Sequence, residues 1–298
     1  MQALIDGKSK IFPKNTIICL GIITLAAFLI RLFYFPEGIP ITLDGALYFW
    51  YANDLSITGT FPINIAIANN GWPTFLSIFF YFFNSENFLD YMMLQRYVTI
   101  IISVATIIPV FILCRKFCGN KLSLIGALLF AFQPRIIENS LSGLSEPLFI
   151  LLELMCLVLF LQNNFKLKYV SFAILALACM IRYEGIVLLI PLSILFLVVN
   201  KEYKKNIPRY FLAISIFLLV LLPMAFVRMD TMGYDGIASH SIATVYTFGE
   251  DGTIYTAILS LIKTTGYAVF PIFFALLPLG FFGFLGTEIL INIQFYYF

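Results

Sequence analysis

Apolar residues run through this chain in long blocks, broken by short polar punctuation, rather than in the spaced stripes of a water-soluble helix bundle. Blocks long enough to cross a bilayer as a helix need roughly 20 mostly apolar residues. Blocks near that length, some of them shorter, give expected spans at about 15–35, 92–113, 121–137, 147–162, 168–182, 185–200, 209–228 and 266–287. No polar stretch between them is long enough for a separate soluble domain, so residues 1–298 read as one transmembrane domain. The expectation is an all-α polytopic membrane protein of about eight transmembrane helices. The first span is longer than the apolar region of a cleaved signal peptide and lacks a small-residue cleavage site.

Two further apolar stretches are not read as spans. Residues 71–83, GWPTFLSIFFYFF, have the length of an interfacial or re-entrant helix. Residues 44–57 form a plausible amphipathic helix rich in aromatics, suited to a membrane surface. The outer loop 36–91 is thus expected to hold two juxtamembrane helices.

Composition agrees with this pattern: 61% hydrophobic, 11% charged, mean hydropathy +0.97. A soluble domain averages about 25% charged residues. The net charge of +2 gives no reason to expect nucleic acid as a partner. The distribution of charge is more informative. With the N-terminus in the cytoplasm, the inner loops carry Lys8, Lys10, Lys14, Arg115, Lys116, Lys121, Lys166, Lys168, Lys201, Lys204, Lys205 and Arg209, twelve of the 18 basic residues. Twelve of the 16 acids fall on the opposite side. Counting 71–83 as a span would put Arg115 and Lys116 outside. The five cysteines (Cys19, Cys114, Cys118, Cys156, Cys179) lie in spans or on the inner side, which implies no disulfide framework. Cys114 and Cys118 lack the further ligands of a zinc site, and no metal ligand set is assigned.

Ionisable residues in or beside spans are costly and are therefore functional candidates. Asp44 opens the TLDGALYFWYANDL segment, with Tyr48 one helical turn on; an acid favoured by the helix dipole is the plain alternative. Glu146 stands before Pro147 at the start of the fourth span, again an ordinary first-turn arrangement, and Glu153 lies seven residues further on the same face. Glu153 is expected to face the bundle interior and bond to a neighbouring polar group. Arg182, in CMIRYEGIVLLIPL, either snorkels or pairs with Glu184, or it forms an anion site for a lipid phosphate. His240, the only histidine, sits in the loop 229–255 and reads as a surface residue.

In their order along the chain these elements resemble the N-terminal half of the GT-C membrane glycosyltransferases, in the branch related to protein O-mannosyltransferases and aminoarabinose transferases. The pieces are Asp44-Gly-Ala-Leu-Tyr48 after the first span, a Pro-containing juxtamembrane helix at Pro73, and Arg96 opening the second span. A basic loop CRKFCGNK follows, then Pro134, then Glu146-Pro147, and finally Arg182-Tyr-Glu-Gly185. The similarity covers roughly residues 15–200. It implies a GT-C-like bundle that moves a sugar from a polyprenyl-phosphate donor to a protein, lipid or glycan acceptor on the extracytoplasmic side. Asp44 would be the base, with Arg182 and Arg96 near the phosphate, and Glu146, Tyr48 and Glu184 lining the substrate pocket. No cofactor is required by the residues, although the acidic face leaves room for a divalent cation. The resemblance leads one to expect further spans and an outer domain beyond Phe298, so the chain reads as a compact relative or as the N-terminal transmembrane part of one. The competing readings are a transporter or lipid translocase, and a truncated, inactive relative. With no retention signal in view, a cell membrane is expected rather than the endoplasmic reticulum.

Overall fold

In the computed structural model the described residues are 13–63, 65, 67, 69–198 and 203–236. By its contacts the chain divides at Ile242, and all described residues lie in the N-terminal unit, Met1–Ile242. The expected span at 266–287, His240, most of the 229–255 loop, and the basic residues Lys8, Lys10 and Lys201 fall outside the described residues.

The described residues are helical, without a strand among them. The helices are α1 Lys14–Phe33, α2 Leu43–Thr58, α3 Gly71–Phe82, α4 Phe88–Ala105, α5 Ile107–Phe117, α6 Asn120–Ala131, α7 Pro134–Leu141, α8 Glu146–Phe160, α9 Phe165–Ile181, α10 Ile186–Val198 and α11 Tyr203–Met232. Lys14–Phe33, Phe88–Phe117 and Asn206–Thr231 are long and apolar enough to cross a membrane, and Asn120–Ala131 and Tyr183–Val198 are shorter apolar helices. An all-α membrane protein is what the sequence calls for and what the fold shows.

A helix stands at each of the first seven expected spans, with two departures. The third stops at Ala131 instead of running to 137. There the Gln133 side chain accepts a hydrogen bond from the Ile136 amide (2.8 Å) and Pro134 takes the first helical positions, so a separate helix, α7, begins. The second is jointed at Thr106, whose hydroxyl bonds back to the Ile102 carbonyl at 2.7 Å, while Pro109 offers no amide to the turn before it.

Three apolar clusters hold the bundle. Ala27, Ile100, Ile107, Phe111 and Ala127 join α1, α4, α5 and α6. Phe49, Trp72, Leu76, Phe80, Val98 and Leu148 pack α2 and α3 onto α4 and α8. Phe160, Phe172, Leu175, Phe196 and Phe217 join α8 to α11. The far faces stay apolar as well: Ile18, Ile22, Leu25 and Leu29 of α1 are each more than half exposed, as are Phe211, Leu219 and Phe226 of α11. Such stripes suit hydrocarbon, where packing and internal hydrogen bonds, not apolar burial, distinguish inside from outside.

The internal glue is polar. Arg31 is 0% exposed. It donates to the Ala27 and Ala131 carbonyls (3.0 and 3.2 Å) and to the hydroxyls of Ser140 (3.2 Å) and Ser103 (3.1 Å), fastening α1 to α4, α6 and α7. The two juxtamembrane stretches form helices where expected. In α2, Phe49 and Tyr51 are 0% exposed whereas Trp50 on the other side is 43% exposed.

Candidate functional site

The site forms where α9 ends, α8 begins and α2 starts. Arg182 leaves the helical conformation (φ −148°, ψ 128°), which stops α9 at Ile181, and a single 3-10 turn, Tyr183–Gly185, reverses the chain into α10. Two neighbours support this turn. The Asn69 side-chain oxygen accepts from the Tyr183 amide at 3.3 Å. Gly71 brings the start of α3 so close to α9 that a Cβ would lie 2.5 Å from the Met180 carbonyl oxygen. Only a glycine allows that backbone approach.

Arg182 uses its two terminal nitrogens on two different carboxylates: 2.7 Å to Glu146 at the start of α8, and 2.9 Å to Glu184 in its own turn. All three side chains keep roughly a third of their surface exposed, at 31%, 29% and 41% for Arg182, Glu146 and Glu184. The two carboxylates hold the guanidinium in place by charge-assisted hydrogen bonds. The guanidinium is a fixed cation with an open side.

Tyr48 reaches the same place from α2. Its pKa is raised, first by burial and then by the negative charges of Asp44 and Glu146; the neighbouring Ser145 hydroxyl and Arg182 pull the other way. Its phenol therefore stays neutral. Asp44, one turn earlier on α2, is exposed to solvent. The residue just before it, Leu43, has φ +53° although it is not glycine, and its side chain is 86% exposed. Backbone in this region is held by its surroundings at a cost of order 1–3 kcal/mol, and such residues cluster at functional sites.

Five of the six candidate residues thus gather around one locus: Asp44, Tyr48, Glu146, Arg182 and Glu184. Arg96 stands apart. It donates to the main-chain oxygens of Leu141 (2.9 Å), Pro36 (3.4 Å), Ile39 and Pro40 (3.3 Å), and is 4% exposed. It clamps the chain leading into α2 against the end of α7. It also lines a cleft of about 650 Å³ with Tyr34, Ile41, Thr42, Glu138 and Ser142. Glu153, expected to bond to a polar neighbour, makes no hydrogen bond among the described residues. It sits below Arg182 and Glu184 on the face of α8 that carries Glu146, close enough for their charges to act on it.

Further polar residues brace the chain around the site. The Asn70 side chain donates to Tyr51 (3.2 Å) and accepts from Arg228 of α11 (3.1 Å), while Arg228 also donates to the Ile67 carbonyl (3.2 Å). Gln95, 0% exposed on α4, donates to the Gly45 and Gly143 carbonyls at 3.0 and 2.7 Å. A polar amide inside an apolar span is the sequence signal that marks Gln95, and an Asn-Asn-Gly run before an apolar helix marks Asn69 and Asn70. Among the described residues no three His, Cys, Asp or Glu side chains gather as a cation site.

A comparison with curated proteins gave no match. The family model for dolichyl-phosphate-mannose-protein mannosyltransferase matches residues 73–226, just over half of the chain. The matched stretch contains Arg96, Glu146, Arg182 and Glu184, and begins after Asp44 and Tyr48. With that match laid over an all-helical apolar bundle, the chain belongs to the dolichyl-phosphate-mannose-protein mannosyltransferase family, membrane glycosyltransferases of the GT-C type.

Proposed function

We propose that the protein transfers a sugar from a polyprenyl-phosphate donor to an acceptor hydroxyl at the extracytoplasmic membrane surface, with Asp44 as base and Arg182 as the phosphate-binding cation. The observation that carries this reading is a fixed, partly exposed guanidinium and an exposed carboxylate that both lie close enough to Tyr48 for their charges to act on its phenol. The acceptor oxygen attacks the anomeric carbon as the bond from that carbon to the phosphate oxygen breaks. The hydroxyl proton passes to the Asp44 carboxylate, and the polyprenyl phosphate leaves with its bonding electrons, its charge met by Arg182. A phosphate leaving group departs unprotonated, so the second carboxylic acid of a glycosidase is not needed. Glu146 and Glu184 orient the guanidinium and line the sugar pocket.

The family description favours a protein as the acceptor. The charge distribution supports a cytoplasmic N-terminus, which puts α2 and α3 on the outer side. The test is a liposome reconstitution with labelled polyprenyl-phosphate mannose and a serine- and threonine-containing peptide. Label appearing on the peptide in proportion to protein supports the reading. Donor that binds saturably but is never turned over, with any acceptor hydroxyl, rejects it.

A further inference from the structure

Asp44 and the Glu146–Arg182 pair belong to separate segments of chain, and one side chain from a third segment joins them. The Gln95 amide nitrogen donates its two hydrogens to two carbonyls, Gly45 in the first turn of α2 (3.0 Å) and Gly143 in the turn before α8 (2.7 Å). Gly45 directly follows Asp44, and Gly143 stands three residues before Glu146. The glycines make the joint close. A Cβ on Gly45 would lie 2.8 Å from the Ser142 carbonyl oxygen and 2.5 Å from Ile41; one on Gly143, whose φ is +70°, would lie 3.0 Å from the Gln95 amide nitrogen. Gln95 is 0% exposed, so these bonds do not compete with water.

We infer that Gln95 is a positioning residue for the transfer reaction, setting the place of Asp44 relative to the Glu146–Arg182 pair by bridging Gly45 and Gly143. The inference rests on the proposed roles of Asp44 and Arg182. A side chain that bridges two active segments without touching substrate affects the chemical step through geometry, where a displacement of about 1 Å can cost on the order of 100-fold. It leaves the phosphate cation alone, because Arg182 is held by Glu146, Glu184 and its own turn.

The test uses the full chain in liposomes and the isosteric, donor-free variant Gln95→Met. Turnover is expected to fall by about 10- to 100-fold while donor affinity stays within about twofold. Gly45→Ala forces the same joint open, so the double variant is expected to lose no more than the worse single one. Nitroxide labels on exposed Leu47 of α2 and Arg135 of α7 report the joint without any turnover, and Gln95→Met is expected to broaden their distance distribution. Equal losses of donor affinity and turnover, additive losses in the double variant, or an unchanged label distance would overturn the inference. If the wild type itself transfers nothing, the proposed function fails, and the label distances still decide whether Gln95 fixes the joint.

Discussion

Arg182 holds Glu146 across 36 positions of sequence, with 2.7 Å between guanidinium nitrogen and carboxylate oxygen. A donor phosphate that binds Arg182 must share the cation with that carboxylate. Glu146→Gln keeps the hydrogen-bond acceptor and removes the competing charge, so donor affinity is expected to rise by about two- to fivefold, the scale of a partly exposed ion pair. Arg182→Ala is expected to weaken donor binding by about tenfold or more, with Arg182→Lys restoring part of it. Equilibrium binding of labelled donor to reconstituted protein checks both; unchanged affinity in Arg182→Ala excludes the phosphate role.

The neutral state of Tyr48 has a consequence at high pH. Burial is the main cause that raises Tyr48 and Tyr51 above their ordinary value of 10.0. Each group keeps its proton in the folded state at a pH where the unfolded chain has lost it. Their contribution is fully present below 10.0 and fades as pH rises through the folded-state values. The double variant Tyr48→Phe/Tyr51→Phe should therefore lose melting temperature less steeply than wild type on the alkaline side. Parallel curves would contradict the burial of these phenols.

Arg31 tests the polar glue. Its removal in Arg31→Met leaves the Ala131 carbonyl and two hydroxyls without their donor inside the bundle. A loss of about 3 kcal/mol or more is expected, read as a lowered melting temperature in detergent. Donor affinity in the protein that remains folded should be unchanged. A variant melting like wild type would show that the Arg31 contacts hold nothing together.

Much of this architecture is legible in sequence because hydrocarbon imposes a simple rule. Backbone groups must bond internally, so apolar length predicts helices, and α1, α8, α9 and α10 begin and end close to expectation. The candidate site was legible to the extent that each charged group stands alone in apolar surroundings; that singles out Glu146 and Arg182 but not the hydrogen bond joining them. The errors have local causes. Gln133 and Pro134 end α6 early through a capping bond that hydropathy does not register. Arg96 is a different case: its donors go to four main-chain oxygens of segments distant in sequence, and no pattern around position 96 reveals that anchoring. Gln95 is marked as an amide inside an apolar span, but its partners, the carbonyls of two glycines 50 and 48 residues away, leave no trace around position 95.

Orientation can be read from a thiol. Cys118, exposed in the basic loop after α5, lies on the cytoplasmic side in the proposed topology. A variant retaining Cys118 as its sole cysteine should resist a membrane-impermeant maleimide in intact cells and react once the membrane is opened. Labelling in intact cells would invert the topology and with it the side on which the sugar is transferred.

In the proposed reaction Asp44 takes the acceptor proton. Its most direct test is single-turnover transfer from labelled polyprenyl-phosphate mannose to a peptide hydroxyl in liposomes, comparing wild type with Asp44→Asn. General-base assistance is typically worth 10²–10⁴-fold. A rate loss of about that size is expected in Asp44→Asn with donor affinity unchanged, because Arg182 and its two carboxylates are left intact. Transfer by Asp44→Asn at the wild-type rate would rule out Asp44 as the base.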